Sequence, residues 1–230
     1  MSLGPAEWAI IGLSLKVALV AVIGSLPFGI LAAYALARGW FWGREALNLL
    51  VHLPLVLPPV VTGYLLLVLF GATGPLGRFF EASLGLSFAF RWTGAALAAA
   101  IMAFPLMVRA IRLALEAVDP KLEEAANTLG ASRLRVFLTI TLPLMAPGIL
   151  AGIILAFAKA LGEFGATITF VSNIPGQTQT LPTAIYAALQ VPGQEGAALS
   201  LILISVALAA AALIASEVLA RAMRKRMEGS

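Results

Sequence analysis

The chain has 230 residues, 61% of them hydrophobic and only 11% charged, with a net charge of +4 and no cysteine. An ordinary soluble domain carries about 25% charged residues, so these long apolar runs predict an all-α polytopic membrane protein forming one transmembrane domain over residues 1–230. The absence of cysteine excludes disulfides, thiolate metal centres and a cysteine nucleophile, and a single histidine, His52, argues against a histidine-based metal site or triad. The excess of cations does not point to nucleic acid, because Lys and Arg gather at the ends of apolar runs as membrane topology requires.

Five segments are apolar enough to cross about 30 Å of hydrocarbon at roughly 20 residues each: residues 10–37, 46–70, 93–115, 144–165 and 197–220. The first is expected to be a retained span and not a cleavable signal. Nothing basic precedes Lys16, the apolar run is too long, and Pro27 interrupts it. Lys16 lies near one end, where its stem can reach the interface.

The second segment opens on an unusual run, His52 to Gly63, with Pro54, Pro58 and Pro59 followed by Thr62. Each proline removes a backbone donor and its ring clashes with the carbonyl four residues earlier. The freed carbonyls need partners, so the region is expected to be buried in protein or to face a watery path. A packing kink and a gate both fit, and His52 reads as a satisfied structural histidine. In the third segment, Ala95–Ala100 forms a small-residue face suited to close helix contact, including contact across a dimer. Arg109 and Arg112 follow, as interfacial anchors or as a hold on the loop beyond.

That loop, residues 119–143, is the longest polar interruption. Glu123 to Thr128 has helical character, Gly130 sits where a helix would stop in a left-handed turn, and Leu134, Phe137 and Leu138 recur on one apolar face. The expectation is helix, glycine turn, short helix, tethered between two spans and shaped for a groove on a soluble partner. The fourth segment carries Lys159 and Glu163, one turn apart and deep in the membrane, either as functional groups facing a cavity or as a self-neutralising pair. Residues 181–189 are too short to span and read as a short helix at the far mouth.

Counting Lys and Arg outside the spans, together with Arg109 and Arg112 at the end of the third, gives eleven on the side of the 119–143 loop and two, Arg78 and Arg91, on the other. The positive-inside rule makes the loop cytoplasmic, the N-terminus external and the C-terminus cytoplasmic. No GxxxxGK[ST], nucleophile elbow or HExxH occurs, so neither nucleotide hydrolysis nor other catalysis is expected of this chain, nor any catalytic, cofactor or metal residue.

The spacing Glu124-Ala125-Ala126, three residues, Gly130, nine residues, Ile140, one residue, Leu142-Pro143 fills every fixed position of the EAA motif of ABC-importer permeases. Beyond it, the stretches HLPLVLPPVVTGYL, FPLMVRAIRLAL, GEFGATITFVSN and TLPTAIY make the chain similar throughout to permeases of molybdate ABC importers. The resemblance implies the type I importer permease fold in a cytoplasmic (inner) membrane. It implies a homodimer in lipid, two ABC ATPase subunits that bind ATP and Mg, an extracytoplasmic molybdate-binding protein, and alternating access. It makes Glu124, Ala125, Ala126, Gly130, Leu134, Val136, Phe137 and Pro143 the ATPase-coupling residues. His52, Pro54, Pro58, Pro59, Thr62, Lys159 and Glu163 become candidates for the path or gate. A sulfate or tungstate permease is the nearest alternative, and an ATP-independent secondary transporter or channel one of a different class.

Overall fold

Proline sets the start of most helices, because its missing N–H costs nothing in the first turn and its fixed φ is already helical. In the computed structural model, Pro5 opens α1 (Pro5–Arg38), Pro59 opens α3 (Pro59–Phe70), Pro75 opens α4 (Pro75–Leu84) and Pro120 opens α6 (Pro120–Thr128). Between them lie α2 (Arg44–Val56) and α5 (Trp92–Glu116). The second half contains α7 (Arg133–Val136), a π turn (Phe137–Thr141), α8 (Leu142–Leu161), α9 (Gly165–Val171), α10 (Leu181–Leu189) and α11 (Glu195–Glu228). The structure describes residues 4–228, with side chains up to residue 212 and at 214, 215 and 218. The tail cations Arg221, Arg224, Lys225 and Arg226 lie outside the described side chains.

Among the described residues, four continuous helical stretches are long and apolar enough to cross a membrane, and the bent pair α2–α3 makes a fifth. The all-α architecture expected from composition is therefore present, with two boundaries moved. The second segment is not one rod: α2 and α3 meet at 117°. The fourth is continuous from Arg133 to Leu161 but ends there, and does not reach Gly165.

α5 is the central helix, held between α1 and α8. Its small face does the packing: Ala95, Ala98 and Ala99 have no exposed surface. Opposite, a Cβ on Gly148 would sit 2.0 Å from Ala114 Cβ, and one on Gly152 would sit 3.1 Å from the Met107 carbonyl. Without a hydrophobic drive between helices in lipid, such close backbone approach is what holds a bundle. Ala95, Ala98 and Ala99 are thus buried within the protomer, while Ala96 and Ala100 border an apolar cavity. The short helix α10 is likewise integrated: Leu181 is buried and its N–H donates to Ser14 Oγ of α1 at 2.7 Å.

Candidate coupling foot and the paired helix breaks

Local sequence chemistry builds the 119–143 segment. The Asp119 carboxylate accepts from the Lys121 N–H at 2.9 Å and caps α6. α6 ends in a Schellman turn: Ala131 N–H donates to Ala126 O at 3.1 Å and Gly130 N–H to Asn127 O at 3.0 Å, with Gly130 at φ +87°. Ser132 Oγ then caps α7 by accepting from the Arg135 N–H. The helix–glycine turn–helix expected from the sequence is present. The second helix is not a separate short piece, however. It runs through the π turn, where Leu142 N–H bonds five residues back to Phe137 O, and becomes α8. The foot and the fourth span are one helical rod of 29 residues.

The foot is gripped from α1. Arg38 Nη2 donates to Val118 O at 2.9 Å and to Leu115 O at 3.3 Å, and lies 3.7 Å from Glu123 Oε1. The same Glu123 oxygen accepts from Thr141 Oγ at 2.8 Å. One carboxylate therefore ties α6 to the end of α1 and to the start of α8. Arg109 and Arg112 do not hold the foot; Arg112 pairs with Glu116 at 2.7 Å and reaches Asn48 on α2.

The outward surface of the foot is leucine-rich. Leu129 is 89% and Leu134 68% exposed, and Leu122 and Leu138 are also exposed. Glu124, Ala125, Gly130 and Pro143 are exposed, and Ala126 is half-buried. Two of the residues expected to meet a partner do not face outward. Val136 is buried, and Phe137 is half-buried with its ring edge-on to Tyr34 of α1 at 5.5 Å, because both sit on the rod face that packs against the protomer. Leu129 and Leu122, which the sequence pattern does not single out, are the exposed ones instead. Leu129 immediately precedes the turn glycine, and this is its only signal.

At the other end of the rod two helix breaks meet. Pro58 and Pro59 end α2 and restart the chain as α3, and Gly162–Phe164 separate α8 from α9. The breaks are in direct contact: a Cβ on Gly165 would lie 2.7 Å from Pro59 Cβ, and one on Gly63 would lie 2.5 Å from the Ala166 carbonyl. Thr62 is buried in this contact with its hydroxyl unpaired. Lys159 Nζ bonds Glu163 Oε2 at 2.6 Å, while Glu163 Oε1 accepts from the Ala166 N–H at 3.0 Å. Glu163 thus closes an ion pair with α8 and caps α9, favoured there by the positive end of that helix. This is the geometry of a staple, with the lysine neutralised. Pro54 and His52 stand on α2 before the break; His52 Nδ1–H donates to Asn48 O at 2.9 Å, within its own helix.

The binding-protein-dependent transport system inner membrane component family matches residues 25–225 of the chain. This chain belongs to that family. The permease is 60% identical to the molybdenum transport system permease protein ModB of Escherichia coli K12, over 98% of this chain and 99% of the relative. It is 40% identical to the sulfate transport system permease protein CysT of Salmonella typhimurium, over 77% of this chain and 64% of that protein. Its fold is shared with a chain of a bacterial ABC transporter that imports the acidic polysaccharide alginate, at a TM-score of 0.74 and 18% identity, covering 95% of this permease and 80% of that chain. The matched span takes in both the foot and the two breaks.

Proposed function

We propose that the permease is the membrane half of an ATP-driven molybdate importer, working as a homodimer on two ABC ATPase subunits that bind ATP and Mg. An extracytoplasmic binding protein delivers the anion. The observation that carries this reading is the foot: a capped helix, a glycine turn and a helix start, with four exposed leucines facing away from the bundle. Such a surface has no use in water on its own and fits a groove on a soluble partner. The cation excess beside the foot supports a cytoplasmic foot, where ATP is, and an external N-terminus. ATP-driven approach of the two ATPase subunits pushes the feet, the rods tilt, and the contact between the breaks opens on alternate sides.

Molybdate is favoured over sulfate by the closer similarity to the molybdenum permease, which extends along the whole chain. Uptake of labelled molybdate into vesicles holding the permease, the ATPase subunit and the binding protein tests the reading. ATP-dependent uptake that sulfate competes with only weakly is expected. Flux without ATP would place the protein among channels and overturn it, and equal competition by sulfate would overturn the substrate.

A further inference from the structure

At the interface opposite the foot, two cavities share the wall residues Leu86, Trp92 and Thr93. The first, about 710 Å³, is an almost wholly apolar slot between α1, α2 and α5, running from Trp92 along α5 to Phe104. At about 1.5 Å per residue that is about 18 Å, close to the ~15 Å depth of one hydrocarbon leaflet. The second, about 590 Å³, is polar and carries Lys16 and Arg91. Lys16 Nζ sits 3.6 Å from the centroid of the Trp92 ring, at the junction of the two. It lies about 33 Å along α1 from Arg38, one hydrocarbon thickness from the foot end. Neither Lys16 nor Arg91 has a carboxylate within 4.0 Å among the described residues, and no acidic side chain lines either cavity.

A cationic mouth opening into an apolar slot one leaflet deep follows the order of charge and hydrocarbon in a phospholipid. We infer that this composite cavity is a binding site for an anionic phospholipid, with its phosphate between Lys16 and Arg91 and one acyl chain in the slot beside Gly24 and Ala100. Basic pockets between membrane helices bind anionic headgroups on the cytoplasmic side, and the same pairing of cation with phosphate is available at this face. A free oxyanion would leave the slot unused. The Trp92 indole at the junction suits the headgroup level, where amphipathic rings settle.

The permease, purified with its partner subunits, is equilibrated in detergent with equal phosphatidylglycerol and phosphatidylcholine of the same chains, and retained lipid is counted by native mass spectrometry. Selective retention of phosphatidylglycerol is expected. Lys16→Gln with Arg91→Gln should lower its affinity about 30-fold, from about 1 kcal/mol for each cation near a phosphate. Gly24→Leu sends a side chain into the slot from a position where a Cβ meets nothing within 4 Å, and should reduce retention of both lipids while the thermal midpoint holds. Equal retention of the two lipids by the unaltered protein would overturn the site, as would indifference to either variant. Displacement by glycerol phosphate, which has no chains, would assign it to a bare anion. A change in the number of permease copies with Gly24→Leu, with no lipid lost, would assign the slot to a second copy and equally refute the lipid.

Discussion

Removing the Glu123 carboxylate by Glu123→Ala should loosen the foot without disturbing the bundle. The residue loses a 2.8 Å hydrogen bond from Thr141, which is 1% exposed, and a 3.7 Å approach to Arg38, where both side chains are 20% exposed. A hydrogen bond to a charged group is worth about 1.5–3 kcal/mol net, and a partly screened ion pair adds no more than ~1 kcal/mol. A loss of about 2–3 kcal/mol corresponds to local opening about 30- to 150-fold more frequent. Hydrogen–deuterium exchange of the α6 amides in lipid nanodiscs reads this directly, with the buried α5 amides as the internal reference. Thr141→Val should give a fraction of the effect, and the double variant less than the sum, because both changes break the same bond. Uptake per ATP hydrolysed should fall in step, since a loose foot absorbs the stroke. If α6 exchange rises by less than about threefold, the carboxylate does not fasten the foot and the account of the grip is wrong.

Gly130→Val should weaken capture of the ATPase subunit in pull-down while membrane insertion survives. At φ +87° with open space around its Cβ position, the cost of about 1–3 kcal/mol is purely backbone, so Gly130→Asn should be tolerated far better; equal loss in both would remove the left-handed turn as the cause. Gly63→Leu should lower the thermal midpoint measured by intrinsic fluorescence, since even a Cβ meets the Ala166 carbonyl at 2.5 Å, with about 1–3 kcal/mol of overpacking. An unchanged midpoint would show that the two breaks are not in firm contact. Lys159→Met should destabilise more than the pair Lys159→Met with Glu163→Gln, because the single change strands a carboxylate that is only 3% exposed; the opposite order in the same melting assay would dismiss the staple.

Much of the foot is legible in the sequence because its signals are local. Asp119, Gly130 and Ser132 act on backbone groups within five residues, and the sequence order fixes those partners. The proline run likewise announces a break, since Pro58 and Pro59 cannot both continue a helix. What the sequence hides is which neighbour each face meets. The apolar face at Leu134, Phe137 and Leu138 suggests a surface for a partner, yet α1 brings Tyr34 from 103 residues earlier in the chain against Phe137. Arg38 resembles one more interfacial cation until α5, α6 and the turn between them place three acceptors around it. The sequence of α5 gives no hint that Gly148 and Gly152 of the same chain pack against Met107, Ala110 and Ala114. The continuity of the rod through the π turn is also invisible, because five-residue hydrogen bonds have no composition of their own.

The unbroken run from Arg133 to Leu161 makes leverage a matter of length. Its 29 residues extend about 43 Å, so a rotation of about 5° about the lower end carries the upper end by about 4 Å. That is roughly the size of a water molecule with its clearance, delivered where Pro59 leans on Gly165. On the proposed mechanism, a modest nudge at the foot is thereby enough to prise apart the two surfaces that meet at the other end of the rod.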